Sequence, residues 1–378
     1  MSARQTSDSM VHCENLTKRF GATTALHDLS LEVHSGEFVV LLGPSGCGKT
    51  TALRLIAGFD RPDGGSVEIG GRVVESPDHH APPEARRVGM VFQNYALFPH
   101  LTVRQNVAFG LPGRSGANRA RVDAMLELVG LERMAERFPH ALSGGEQQRV
   151  ALARTLAPEP DVVLLDEPFS NLDAERRRAM RAEVGDILRR VDTTVILVTH
   201  DQEEAFELGD RVAVLNEGRL EQIGPPETLY ARPVTRFVAE FVGRSDFLPA
   251  CWCERGIETE IGVFSIDVND GDVDDASGST VHGCPTGEAE SWEVMLRPDI
   301  VDVEPDPEGE AVVVARKFNG LQKLFCLELP SGRRLHSLQP STRDLPEGSR
   351  VNVQVRHCPI LFTQSDGNAN SVPTDSAR

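Results

Sequence analysis

The chain has 378 residues, 40% hydrophobic and 25% charged, enough for two or three domains and a sizeable buried core. Its formal charge is -18 and no basic face or patch stands out, which speaks against nucleic acid as a partner. No run approaches the roughly eighteen consecutive apolar residues of a membrane-spanning helix, and the start MSARQTSDSMVHCENL lacks the basic flank and apolar run of a secretory signal.

The seven cysteines are odd in number and Cys47 lies inside a glycine-rich loop, so a reduced, cytoplasmic chain is expected rather than a disulfide framework. Cys251-Trp-Cys253 could be half of a metal site, but no Cys or His pair at zinc spacing follows, and alternate positions on a strand are the better reading.

In chain order, EFVVLLG reads as a buried strand leading into a loop at Gly43, and KTTALRLIAGF has helical spacing that stops at Gly58. From about residue 95 to 155 the pattern is mainly helical, as in RVDAMLELVGL, before DVVLLDEP and TTVILVTH return as short apolar strands. This predicts an α/β core with a helical insert, followed after RVAVLNEG by a turn and a helical connection in PPETLYARPVTRFVAEFVG. Beyond Gly243 the character changes: EVMLRP, AVVVARKF, KLFCLELP and SRVNVQV are strand-like runs between Gly, Pro and Asp turns, predicting a separate small all-β domain over 243–362 and a polar tail over 363–378. Residues 243–378 hold 12 of the 39 basic residues and 23 of the 57 acidic ones. Within them DVNDGDVDD suggests calcium, but Gly271 is fifth from Asp267 where a calcium loop wants glycine sixth, so a solvated acidic loop is expected.

GPSGCGKT, residues 43–50, matches the phosphate-loop pattern G-x-x-x-x-G-K-[ST] in full, in the required strand–loop–helix context. Gly43, Gly46 and Gly48 let the backbone approach phosphates, the N–H groups of Ser45, Cys47, Thr51 and the helix N-terminus attract anions in a loop that Pro44 helps to shape, Lys49 reaches the β/γ-phosphates, and Thr50 ligates Mg²⁺. VVLLDEP ends in two adjacent carboxylates: Asp166 is the candidate Mg²⁺ holder and Glu167 the candidate base for an attacking water. A second glycine-containing stretch, ALSGGEQQRVALAR, begins a helix about a hundred positions later.

With Gln93 in VFQNYALFP, LSGGEQQR, Asp173 in SNLDA and His200 in VTHDQEEA, these motifs follow the order and spacing of the ATP-binding-cassette (ABC) ATPases, which residues 10–240 resemble. The resemblance implies a P-loop fold with a helical subdomain, ATP and Mg²⁺ as cofactors, and further site residues. Phe20 would stack on adenine, Gln93 would sense Mg²⁺ and water, and His200 would contact the γ-phosphate. Ser143, Gly144, Gly145 and Glu146, together with Asp173, would face an ATP held by a second copy in a head-to-tail dimer. The stretch after Gln93, NYALFPHLTVRQNVAFG, resembles the surface that receives a permease's coupling helix. The β domain resembles the TOBE-like regulatory domain of bacterial importers, which places the protein peripherally on the cytoplasmic face of the inner membrane with permease subunits and, indirectly, a periplasmic binding protein. RFVAEFVGRSDFLPA, MLRPDIV and LPSGRRLHSLQPS are most similar to the ferric-iron group, with spermidine/putrescine, sulfate/thiosulfate and phosphonate import, or a soluble non-transport ATPase, as alternatives.

Overall fold

The computed structural model describes residues 9–113, 116–170, 173–253, 256–264, 292–356 and 360–363. The acidic stretch 267–275, Cys284, Cys358, residues 171–172 and the tail from 364 lie outside them. The chain divides into two compact units, 1–226 and 227–378, and no helix among the described residues is long and apolar enough to cross a membrane.

The first unit opens with a hairpin, β1 (Ser9–Phe20) and β2 (Thr23–His34), followed by β3 (Phe38–Leu42) and α1 (Lys49–Ala57). β4 (Gly64–Ile69), β5 (Arg72–Ser76) and β6 (His79–His80) join the hairpin in an antiparallel sheet of order β2-β1-β4-β5-β6. Next come β7 (Val88–Val91), α2 (Val103–Ala108), α3 (Gly116–Leu128), α4 (Gly144–Leu156) and β8 (Val162–Asp166). The unit closes with α5 (Ala174–Val191), β9 (Thr194–Thr199), α6 (Gln202–Leu208), β10 (Arg211–Asn216) and β11 (Arg219–Gly224).

The second sheet has the order β11-β10-β3-β9-β8-β7 and is parallel except for β11. Every residue of β3 and β9 is buried. A parallel sheet covered on both faces needs continuous rather than alternating apolar strands, which is why FVVLL and TVILVT read as unbroken runs. Val11, Leu16 and Leu31 of the antiparallel sheet share one core with Val39, Leu41, Leu164 and Ile196 of the parallel sheet and Leu53 and Ile56 of α1. At its C-terminal end α1 is held by the fully buried Arg86, whose guanidinium donates to Leu55 O and Ile56 O and pairs with buried Glu75. The carbonyls a helix end leaves unpaired are thus satisfied by a cation, as the helix dipole favours.

The second unit contains α7 (Pro226–Ala231), which starts at its border, α8 (Arg236–Val242) and strands β12 (Asp246–Cys253), β13 (Gly256–Thr259), β14 (Gly262–Phe264) and β15 (Trp292–Leu296). β16 (Val301–Pro305), β17 (Ala311–Asn319), β18 (Gln322–Glu328), β19 (Arg334–Pro340), β20 (Arg350–Val355) and β21 (Ile360–Thr363) follow. They form two antiparallel sheets, β14-β13-β12-β15-β21 and β16-β20-β17-β18-β19, over a shared core that includes Leu248, Val294, Val313, Phe325 and Leu335.

The segment 227–242, expected to be a turn and a helical connection, packs within this unit. Arg297, 3% exposed, explains it: its guanidinium donates to Ala239 O at 2.8 Å and Tyr230 O at 3.0 Å and stacks 4.3 Å from the Tyr230 ring. Cys251 and Cys253 lie two apart in β12.

Candidate functional site

The loop between β3 and α1 is built around two glycines that no other residue could replace without distortion. A Cβ on Gly43 would sit 2.2 Å from Leu215 O, and Gly48, with φ of 102°, would place one 2.4 Å from Ala25 O. The loop folds Lys49 back on itself: Nζ donates to Gly43 O at 2.7 Å and Pro44 O at 2.8 Å, and the residue is 5% exposed. Ser45 and Gly46 are exposed, whereas Cys47 is buried with its carbonyl accepting from Gly218 N. The first turn of α1, with Thr50 and Thr51, carries no acidic residue. Unpaired N–H groups, a positive helix end and a buried ammonium together make an anion cradle. Gly48→Ala is expected to destabilise the unit by roughly 1–3 kcal/mol through strain and overpacking. It should also shrink the rise in Tm that ATP produces, which thermal melting with and without nucleotide measures.

The carboxylates meet this cradle at the C-terminal ends of the parallel strands, where ligands of open α/β sheets bind. Thr50 Oγ1 donates to Asp166 Oδ1 at 3.0 Å. Burial pushes the Asp166 carboxyl up from its ordinary value and the Glu167 charge adds to this, against the Thr50 hydrogen bond and the charges of Arg54 and Lys49. A hydroxyl and a carboxylate in contact are hard oxygen donors of the type Mg²⁺ takes, and a desolvated carboxylate beside a second one favours a cation there.

Glu167 has φ of 43°, a left-handed conformation that turns the chain out of β8 while its N–H donates to Val198 O. Its Oε1 lies 3.3 Å from Nδ1 of His200, which follows β9. Gln93, two residues after β7, donates from Nε2 to Ser170 Oγ at 3.1 Å, and Ser170 Oγ donates to Glu167 O at 2.9 Å. Four strand ends thus bring Gly43–Thr51, Gln93, Asp166–Glu167 and His200 into one site. Ser170 carried no signal in sequence, since only its contact with Gln93 distinguishes it from an ordinary turn serine.

Ser143, Gly144, Gly145 and Glu146 form a different place. Ser143 caps α4 in a reciprocal box: its Oγ accepts from Glu146 N at 3.4 Å, and its N–H donates to Glu146 Oε2 at 2.7 Å. The bond from Ser143 N–H, and a second from Ser143 Oγ to the same Oε2 at 2.9 Å, hold the Glu146 carboxyl below its ordinary value. Asp173 caps α5 by accepting from Arg176 N at 3.0 Å. The two helix starts line a cleft of about 560 Å³ together with Arg149 and Met180, and no residue of 43–51 lines it. Phe20, at the end of β1, is 52% exposed, with the Lys18 ammonium 5.4 Å from its ring centre. A further groove of about 470 Å³, lined by Phe59, Met90, Phe92, Phe98, Phe109 and Arg154, lies beside the segment after Gln93.

Comparison with known proteins gives this arrangement its family. The ABC transporter family model matches residues 26–170 and the TOBE domain model residues 294–361. The Fe(3+) ions import ATP-binding protein of Fusobacterium nucleatum is 38% identical over 95% of each chain. The chain belongs to the ABC transporter ATP-binding proteins. A spermidine/putrescine import ATP-binding protein of Rubrobacter xylanophilus is 42% identical over 93% of each chain, and a sulfate/thiosulfate one of Chromobacterium violaceum 48% identical over 77% of this chain and 75% of its own. Among solved structures, a dimeric ATP-binding cassette in a post-hydrolysis state with ADP and Pi aligns with a TM-score of 0.50 at 36% identity, covering 57% of this chain and 98% of the other. The chain is therefore an ABC ATPase of the importer class, an ATP-binding cassette followed by an all-β TOBE region.

Proposed function

We propose that this ABC ATPase energises bacterial import of ferric iron, with ATP bound and hydrolysed at the strand-end site. The observation that carries the hydrolytic part is the convergence of Thr50–Asp166, Glu167–His200 and Gln93–Ser170 beside the phosphate loop. Lys49 and the loop N–H groups bind the phosphates, and Phe20 stacks on adenine. Thr50 and Asp166, with Gln93 nearby, would hold Mg²⁺, which supplies neutralising charge to the β- and γ-phosphate oxygens. Glu167 orients the attacking water and takes its proton on the carboxylate, and His200 contacts the γ-phosphate while its ring steadies Glu167.

The cleft at Ser143–Gly145 and Asp173 receives the ATP of a second copy. Its separation from residues 43–51 supports this reading, as does the dimeric form of the related cassette. The aromatic groove at Phe98 and Phe109 receives a permease segment, which places the protein peripherally on the cytoplasmic face of the inner membrane, with a periplasmic binding protein choosing the substrate. Residues 10–240 are assigned to the cassette and 243–362 to the regulatory domain, the connecting helices packing with the latter.

Ferric iron is favoured by the iron-import relative aligned over 95% of each chain together with the likeness of RFVAEFVGRSDFLPA, MLRPDIV and LPSGRRLHSLQPS to that group; polyamine import is the second reading, favoured by a relative 42% identical over 93% of each chain. In a strain lacking the gene, uptake of radiolabelled Fe³⁺ is expected to fall to background and return on complementation. Loss of radiolabelled spermidine uptake with Fe³⁺ uptake unchanged would assign the second reading instead.

A further inference from the structure

Just past Gln93, two consecutive residues occupy the left-handed region: Tyr95 with φ of 61° and Ala96 with φ of 46°. Neither is glycine or asparagine, the residues that visit this region at low cost, so the surroundings must hold the turn. Within the turn Tyr95 N donates to Phe92 O and Ala96 N to Asn94 O. The carbonyls it presents are taken by one side chain: Arg154 Nη1 donates to Ala96 O at 2.7 Å and Nη2 to Tyr95 O at 3.0 Å. A planar guanidinium can hold two carbonyls at once, which an ammonium on a flexible stem cannot do with the same geometry.

Arg154 lies in the last turn of α4, the helix that begins at Ser143. Its guanidinium is 5.5 Å from the Phe98 ring and lines the aromatic groove. Burial lowers its pKa from the ordinary value, and no carboxylate among the described residues pairs with it, so its bonds are to the turn and its packing is against the groove. On the other side of the turn, Gln93 reaches Ser170, and Ser170 reaches the backbone of Glu167. A continuous path therefore runs from Phe98 through Arg154 and the left-handed pair to the hydrolytic residues.

We propose that Arg154 is a positioning residue for hydrolysis: by holding Tyr95 and Ala96 left-handed it sets the Gln93 amide on Ser170 and makes the site sensitive to whatever fills the groove at Phe98. This rests on the placement of Gln93 and Glu167 in the hydrolytic site proposed above.

The test is steady-state ATPase kinetics and ATP binding on the full chain carrying Gln93→Ala, Arg154→Gln, Arg154→Lys, or Arg154→Gln with Ala96→Gly. Arg154→Gln is expected to lower kcat about tenfold, within the cost of a small misplacement at a reacting centre, with KM and ATP affinity within about twofold of wild type. Adding Ala96→Gly should recover much of that kcat, because glycine adopts positive φ without the side-chain support. A merely structural role would not predict this rescue. Wild-type kcat in Arg154→Gln, or a loss that Ala96→Gly leaves untouched, would overturn the proposal. If Arg154→Gln does not fold, Arg154→Lys carries the same test, with reduced kcat at unchanged KM supporting it and wild-type kcat overturning it. Gln93→Ala separates the two readings: wild-type kcat there removes Gln93 from the hydrolytic site, whereas a loss there with normal Arg154 variants removes only the role given to Arg154.

Discussion

Replacing Glu167 with glutamine is expected to leave ATP binding intact and to cut hydrolysis about a thousandfold, roughly 4 kcal/mol of transition-state stabilisation. The expectation follows from how little else the substitution changes. Glutamine has nearly the same shape and can accept the left-handed backbone of residue 167, whose N–H remains on Val198 O. The phosphate cradle is made by Gly43–Thr51 and does not draw on the Glu167 side chain. The change removes the group that accepts the proton from water, and with it the negative charge beside Asp166. Burial first, and the Glu167 charge only after it, pushes the Asp166 carboxyl up; removing a negative charge next to the bound phosphates lessens like-charge repulsion, so ATP affinity is expected to hold or rise. ATP should then remain trapped between two copies, giving a dimer on size-exclusion chromatography with ATP that disperses without it. Turnover within threefold of wild type would remove Glu167 as the base and shift attention to His200, 3.3 Å away.

Much of this site was readable because its requirements are local. Gly43 and Gly48 stand at fixed spacing from Lys49, and the Asp166–Glu167 pair closes an apolar strand, so spacing along the chain sufficed, even though the backbones that exclude a side chain at the two glycines, Leu215 O and Ala25 O, come from other segments. Ser143 was readable as a helix cap because the capping box lies within four residues. What escaped depends on pairing between distant segments. The order β11-β10-β3-β9-β8-β7 places β9 between β3 and β8, and only this brings His200 to Glu167. Ser170 and Arg154 matter through contacts 77 and 58 positions away in sequence. The left-handed turn at Tyr95 and Ala96 lacks the glycine or asparagine by which such a turn announces itself. The helical pattern of residues 227–242 does not say which unit they pack with, because the tie that places them is Arg297, more than fifty residues downstream of Ala239.

Substituting Ser143 with arginine tests the proposed sharing of the active site from the other side. The change removes the oxygen that accepts from Glu146 N and sets a cation at the positive end of α4, costing the helix about 1 kcal/mol while leaving residues 43–51 untouched, since none of them lines the cleft. The variant should therefore bind ATP like wild type on its own phosphate loop. Its hydrolysis should fall by a hundredfold or more, on the order of the loss of a charge-stabilising donor at the reacting phosphate, because in a two-fold dimer the bulky cation intrudes on the ATP of the partner. Lys49→Ala should fail for the opposite reason, by losing nucleotide on its own loop. In a mixed dimer of these two inactive chains both defects fall on one site: the Lys49-containing loop of the Ser143→Arg chain faces the intact Ser143 of the other. With random exchange and independent sites, mixing the two preparations should restore up to about a quarter of wild-type ATPase, as two-fold symmetry dictates. If mixed dimers form but recover nothing, or if Ser143→Arg abolishes ATP binding in a well-folded chain, the assignment of Ser143–Gly145 to the partner's nucleotide fails.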